Sequence, residues 1–226
     1  MPDLKSHTDK IFDKELAEVS HRIERMGTIA GDMLAASVRA FNTRNTTLAR
    51  EIMDEDTQVN RLEKNIDQLC LEIIAKRQPM ASDLRFLVLV MKAVVDIERI
   101  GDIAVNVSER TMDLSRGALT GSWEELSEMG AIVLSMVRDG MRAFVESDEV
   151  LACEVLKRDA EVDRLFVKVF ADLIELMGNR PDVINLGIHV QSVAKWIERA
   201  GDHAMNLAEY AIFRVKGHDG RHAGRS

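Results

Sequence analysis

The sequence predicts an all-α protein made of two pseudo-symmetric repeats of a three-helix bundle. Three observations carry that expectation. Proline is rare, at 3 of 226 residues, and aromatic residues make up only 4%, whereas sheets favour aromatic and β-branched residues and loop-rich folds need Pro and Gly. Apolar residues recur at helical spacing between helix-breaking signals. The chain also repeats itself at an offset of 100 residues, which marks a duplicated unit.

Breakers and caps divide the chain into six segments. The first runs roughly from Thr8 to Phe41, with Ile11, Leu16, Val19, Ile23 and Met26 at apolar positions. Asn42-Thr-Arg-Asn-Thr46 supplies a turn and an N-cap. The second segment carries Ile52, Val59, Leu62, Ile66, Leu69 and Ile73 at helical spacing and ends near Lys76. Gln78-Pro79 stops it, because Pro cannot continue the hydrogen-bond ladder and disfavours helix in the residue before it. Ser82 is placed to cap a third segment that reaches about Arg116, and Gly117 and Gly121 mark the middle of the chain. A fourth segment begins near Ser122, with Glu124 and Glu125 suited to the positive end of a helix. Ser147-Asp148 separates it from a fifth, which ends at Gly178-Asn-Arg-Pro181, and a sixth runs on to about Lys216.

The two halves match residue by residue. Ile97-Glu-Arg-Ile-Gly-Asp-Ile-Ala-Val-Asn106 corresponds to Ile197-Glu-Arg-Ala-Gly-Asp-His-Ala-Met-Asn206, and Glu109 to Glu209. Upstream, Asp56-Thr-Gln-Val-Asn-Arg61 corresponds to Asp159-Ala-Glu-Val-Asp-Arg164, and Pro79 to Pro181. The expected organisation is a first bundle over residues 1–117, a second over 118–216, and a Gly-, His- and Arg-rich disordered tail over 217–226.

Composition narrows the function classes. The net charge of −8 disfavours non-specific nucleic-acid binding and favours cations or basic partner surfaces. Cys70 and Cys153 form no C-x-x-C, which argues against thiolate zinc sites and fits a reduced compartment. The polar N-terminus lacks an apolar targeting core, and the longest apolar run, Phe86 to Val95, is interrupted by Lys92. That run is far short of the ~20 residues that span a bilayer, so a cytoplasmic protein is expected.

The chemistry concentrates on acidic stripes. Glu98, Asp102 and Asn106 lie at i, i+4 and i+8, with Glu109 one turn on, and Glu198, Asp202, Asn206 and Glu209 repeat the pattern. At about 100° per residue they share one helix face. A neighbouring segment of each half adds acids and amides: Asp56, Asn60 and Glu63 in the first, Asp159 and Asp163 in the second. Arg85, Lys92, Asp96, Arg99 and Arg110 occupy an arc that reads as the water face, while the Glu98 stripe continues the line of Leu84, Leu87, Met91 and Val94. Carboxylates in line with packing residues are costly unless neutralised. One neutraliser is an ion pair, Arg99 with Asp102 and Arg199 with Asp202. The other is a bound cation in an all-oxygen set, as hard divalent ions, iron or manganese accept. Gly101 and Gly201, mid-helix and beside the acids, fit a close backbone approach to a helix or a cluster. His203 is a further candidate ligand without a counterpart, since residue 103 is Ile.

These residues resemble the PhoU family, accessory proteins of the high-affinity bacterial phosphate transport system. The doubled Glu-Arg-x-Gly-Asp motif and Ala75-Lys-Arg-Gln-Pro-Met-Ala-Ser-Asp-Leu-Arg85 carry the resemblance, which spans nearly the whole chain. It implies two pseudo-symmetric three-helix bundles and multinuclear metal sites on acidic E(D)-x-x-x-D motifs. Those positions are here Glu98 and Asp102, Glu198 and Asp202, and Asp159 and Asp163, while the fourth pair is Asp56 and Asn60. Asn60 departs from the acidic pattern. The ions would be divalent or trivalent, such as Mg, Mn, Fe or Zn, because oxygen ligands accept several. The resemblance further implies a homodimeric negative regulator that restrains a membrane histidine kinase and modulates the phosphate ABC transporter through its ATPase subunit. It would bind no nucleic acid and reach the membrane only through partners. The competing reading is a metal-dependent carboxylate-cluster enzyme, disfavoured because no nucleophile or acid–base group stands in a recognisable motif beside the acids.

Overall fold

The computed structural model describes residues 4–114 and 123–216, with side chains from residue 10 onward. The helices are α1 (Leu4–Thr43), α2 (Thr46–Arg77), α3 (Ala81–Leu114), α4 (Glu124–Glu146), α5 (Glu149–Asn179) and α6 (Ile184–Lys216), with a 3-10 turn at Pro181–Val183. No strand occurs among the described residues, as the scarcity of aromatics and Pro leads one to expect. The expected division at residue 117, the helix start at Ser122 and the tail 217–226 lie outside the described residues.

The duplication extends to the turns. Asn45 caps α2 by accepting the Leu48 N–H at 3.0 Å, and Asp148 caps α5 by accepting the Leu151 N–H at 3.0 Å. Before each cap one residue turns left-handed, Arg44 at φ 53° and Ser147 at φ 59°. Asn45 N–H then reaches back to Ala40 C=O and Asp148 N–H to Ala143 C=O, both at 2.9 Å, which satisfies carbonyls left open at a helix end. Gln78, at φ 50°, closes α2 ahead of Pro79. Ser82 does not cap α3 as expected: the helix already includes Ala81, and the Ser82 hydroxyl lies 3.5 Å from the Asp83 carboxylate.

In the first bundle α1, α2 and α3 pack on one another, and in the second α4, α5 and α6 do the same. The bundles also pack together, α1 on α4 and α3 on α6, so one continuous apolar core runs through both halves. Small residues let α1 and α4 approach. A Cβ on Gly130 would sit 3.2 Å from Val38, and one on Gly27 would sit 2.8 Å from Met141. Ile66, Leu87, Ile97, Phe144, Val162 and Ile197 are fully buried, and each such side chain contributes about 1.5–3 kcal/mol of apolar transfer. This core fixes which faces of α2, α3, α5 and α6 point outward, and the acids lie on those faces.

The water face expected on α3 is only partly one. Lys92 and Arg99 are exposed, but Asp96 is buried and Arg85 and Arg110 turn toward α6. The reason is the second bundle: α3 has two packed faces, one in its own bundle and one against α6. A single-helix wheel assigns it one.

Candidate functional site

The first acidic site lies between α2 and α3. The spacing of four residues puts Asp56 and Asn60 on one face of α2, and Glu98 and Asp102 do the same on α3. Asn60 Nδ2 donates to Asp56 Oδ2 at 2.6 Å. Asp56 Oδ1 is buried and has no hydrogen-bond partner among the described residues. Burial raises the Asp56 carboxyl above its ordinary range, the Asp102 charge adds to this, and the Asn60 amide opposes it. Glu98 is raised by burial and by Asp102, with smaller pushes from Glu63 and Asp56 and an opposing pull from Arg99. Arg99 donates to Asp102 at 2.9 Å and stands 3.6 Å from Glu98.

The second site repeats this between α5 and α6 with Asp159, Asp163, Glu198 and Asp202. Asp159 is pushed up to about 6, by burial first and then by Asp163, Asp202 and Glu198. Asp202 is raised by burial and Glu198, against Lys195 and His203. The expected Arg199–Asp202 pair is not among the described ion pairs. Lys195 instead takes both oxygens of Glu198, at 2.7 and 2.6 Å, because the repeat has Lys at position 195 where the first half has Val95.

Gly101 and Gly201 sit beside these carboxylates. An added Cβ would lie 3.5 Å from Asp56 Oδ1 at Gly101 and 4.0 Å from Asp159 Oδ1 at Gly201, ordinary contact distances. The expected close helix approach therefore does not forbid a side chain. What the glycines leave is room next to the carboxylate oxygens.

The asparagines of the stripes are placed differently. Asn206 turns away from the carboxylates of its own helix: its Nδ2 donates to Asp96 Oδ1 on α3 at 2.8 Å. His203 Nδ1 reaches the same oxygen at 2.7 Å, and the Tyr210 hydroxyl donates to Asp96 Oδ2 at 2.9 Å. Asp96, 7% exposed, is thus held by three groups of the other bundle. This corrects the placement of Asn206 in the ligand stripe, since an i+8 position has drifted about 80° from the first and faces the neighbouring bundle. Asn106 is half-buried and makes no hydrogen bond to the acids among the described residues.

The repeat relates this contact to a second one. Counting by 100, Asp96 corresponds to Trp196 and Tyr210 to Arg110. Trp196 of α6 indeed meets Arg110 of α3, whose guanidinium carbon lies 5.4 Å from the ring centroid. Sequence reasoning missed Asp96, and it missed Lys195 and Asp67 as well. Asp67 extends the α2 acid line four residues past Glu63, with one oxygen buried and unpartnered. Its spacing was the available signal.

The donor set suits a hard cation: it is all-oxygen and anionic, Asp56 and Asp159 are raised by burial and then by neighbouring carboxylates, and Asp56 keeps an orphaned buried oxygen. As the side chains stand, no three His, Cys, Asp or Glu among the described residues converge closely enough to close a coordination shell. Arg99 and Lys195 hold Asp102 and Glu198 instead.

Comparison with known proteins agrees with this architecture. The model of the PhoU domain matches residues 23–111 and 126–211. A phosphate-specific transport system accessory protein PhoU homolog of Pseudomonas putida is 36% identical over 222 residues, covering 98% of this chain and 87% of that one. The accessory protein PhoU of Escherichia coli (strain K12) is 30% identical over 222 residues, 98% of this chain and 92% of that one. The crystal structure of PhoU from Pseudomonas aeruginosa superposes with a TM-score of 0.87 at 34% identity, over 92% of this chain and all of that chain. With the family model matching both bundles and full-length relatives above 30% identity, the chain belongs to the PhoU family.

Proposed function

We propose that this chain is a cytoplasmic negative regulator of phosphate uptake and of the phosphate-starvation response. It acts by contact with a phosphate-sensing histidine kinase and with the ATPase subunit of the phosphate ABC transporter. The observation that carries the reading is a face presented twice, on α2–α3 and on α5–α6, where an acidic site adjoins exposed apolar side chains. On the first these are Leu71, Leu84, Val88 and Val95, and on the second Val167, Phe170, Ile174, Ile184 and Ile188. Apolar side chains gathered on an open face suit protein contact, and the neighbouring acids select basic partner surfaces. No described helix is long and apolar enough to cross a membrane, so such a chain reaches the membrane through partners.

Asp56, Asn60, Glu98 and Asp102 would hold a cation in the first site, and Asp159, Asp163, Glu198 and Asp202 in the second. A bound cation supplies positive charge that relieves the repulsion of these groups and draws the two helices of each hairpin together. The second copy of the chain expected in a homodimer would use one of the same faces. Regulation is preferred to catalysis because the basic neighbours of the acids are already engaged: Arg99 and Lys195 in ion pairs, His203 with Asp96.

Deleting the gene is expected to raise phosphate-scavenging expression in phosphate-rich medium, and the purified protein to capture the cytoplasmic part of the kinase or the ATPase. Unchanged expression in the deletion, sequence-specific DNA binding, or turnover of phosphate esters by the purified protein would overturn the reading.

A further inference from the structure

Away from the acidic faces, a polar cavity of about 350 Å³ opens where the two bundles meet. Four elements build it: α1 gives Ser20, the first turn of α3 gives Ser82 and Asp83, the α4–α5 turn gives Ser147, and the end of α6 gives Arg214 over Phe86. The Arg214 guanidinium lies 4.2 Å from the Phe86 centroid, and its Nη1 donates to the Phe144 and Val145 carbonyls at 2.6 and 2.9 Å. Its Nε and Nη2 have no partner among the described residues, and it forms no ion pair there. The charge is therefore half-buried, hydrogen-bonded on one edge only, with the Asp83 carboxylate favouring it across the cavity.

The repeat shows that packing does not require it. Counting by 100, Arg214 corresponds to Leu114, a buried apolar residue at the end of α3. The fold closes one helix end with leucine and the other with a guanidinium beside three hydroxyls. The Asp83 N–H is taken by the Met80 carbonyl at 3.2 Å, and the positive end of α3 still favours an anion.

Asp83 is the informative member. A carboxylate in an anion pocket repels a fully deprotonated oxyanion but accepts a hydrogen bond from one that keeps a proton. Near neutral pH inorganic phosphate retains a P–OH, a phosphate monoester largely loses its last proton, with a second pKa of about 6, and sulfate has none. We propose that this junction cavity binds inorganic orthophosphate, with the free edge of Arg214 and the hydroxyls of Ser82 and Ser147 donating to its oxygens and Asp83 accepting from its hydroxyl. The inference does not rest on the acidic sites or on any cation in them. Because residues of both bundles line the cavity, a bound phosphate would bridge them.

Titration calorimetry of the full chain with inorganic phosphate, sulfate and glycerol phosphate in phosphate-free buffer tests this. Saturable binding of phosphate is expected, with sulfate and the monoester much weaker. Arg214→Lys keeps a charge that can reach the α4 carbonyls but loses the planar fork, and should weaken phosphate by about tenfold, as loss of charge-assisted bonds does. Ser82→Ala, which leaves the helix end intact, should weaken it several-fold. Asp83→Asn should let sulfate compete with phosphate. Helicity by circular dichroism separates lost binding from lost folding. The absence of saturable phosphate binding, equal binding of sulfate by the unaltered chain, or full affinity in folded Arg214→Lys and Ser82→Ala would overturn the proposal.

Discussion

The two acidic sites are built on the same hairpin and solve the same repulsion differently. In the first, residue 60 is an amide, and its N–H bond to Asp56 opposes the upward push that burial and Asp102 exert. In the second, the equivalent residue is Asp163, which joins burial in pushing Asp159 to about 6. The basic groups differ as well. Arg99 lies between the two α3 carboxylates, whereas Lys195 clasps Glu198 and acts on Asp202 only through its charge, with no ion pair to Asp159 or Asp163. A neutral donor on the same backbone thus quiets a cluster that, with a carboxylate in its place, calls for a proton or a cation.

The largest expected effect separates the sites by deletion. Glu198→Ala with Asp202→Ala should remove most of the cation bound by freshly purified protein while the helices stay folded, since tertiary packing and not one surface site stabilises them. Glu98→Ala with Asp102→Ala should remove less. Metal analysis with circular dichroism reads both, and unchanged metal content in the folded α6 variant would leave the stripe an ion-paired surface only.

Next, Asn60→Asp should convert the first site toward the second and raise its cation affinity by about tenfold, as an added carboxylate ligand does. Lys195→Val, copying Val95, should free Glu198 and raise affinity in the second site by a smaller factor. If both substitutions leave calorimetric affinity unchanged, the comparison drawn from residues 60 and 163 is wrong.

A pH effect follows from Asp159. Its folded pKa of about 6 lies above the value of 3.8 expected when unfolded, so the folded state binds the proton more tightly. The stabilisation this gives is fully present below about pH 4 and is lost as pH rises through about 6. At neutral pH the metal-free protein should therefore be more stable as Asp159→Asn, by about 1 kcal/mol after discounting for the solvent at the site, while Asp56→Asn should gain less. Chemical denaturation at two pH values checks this, and equal gains would erase the difference.

The smallest effect concerns the glycines. Ala at Gly101 or Gly201 should stabilise its helix by up to about 1 kcal/mol, because the added Cβ meets only ordinary contacts. The gain should be smaller at Gly101, where the oxygen and Val59 lie nearer. A thermal melt that falls for both would show that the backbone approach is tighter than these distances imply.

Much of this was legible in the residues. Apolar spacing, the turn at Asn42-Thr-Arg-Asn-Thr46, the separator Ser147-Asp148 and the breaks at Pro79 and Pro181 report local physics, and the helices follow them within a few residues. The hairpin acids were legible because i, i+4 spacing fixes a face whatever surrounds it. What surrounds α3 was not. Asp96 looks like a solvent residue until α6 brings His203, Asn206 and Tyr210 to it, and the same contact takes Asn206 from the acid stripe. Such pairings join residues more than 100 positions apart, and helical periodicity carries no information about them. Arg214 was overlooked for the same reason, since its neighbours come from α3 and α4.

The Asp96 contact also makes the two halves non-interchangeable. Were α3 to pair with α3 of another copy in the same register, Asp96 would face Ile103, Asn106 and Arg110 in place of His203, Asn206 and Tyr210, and the contact made by His203 would lose its partner. Pairing α6 with α6 would set Trp196 against Tyr210 and forfeit its guanidinium. Leaving a buried carboxylate short of donors costs about 1–3 kcal/mol for each group left unsatisfied. Each half therefore discriminates in favour of its own fused partner, and an exchange of bundles between chains is penalised only when like meets like. Two chains that exchanged whole halves would keep every one of these contacts, so the α3–α6 pairing selects unlike halves without selecting which chain supplies them.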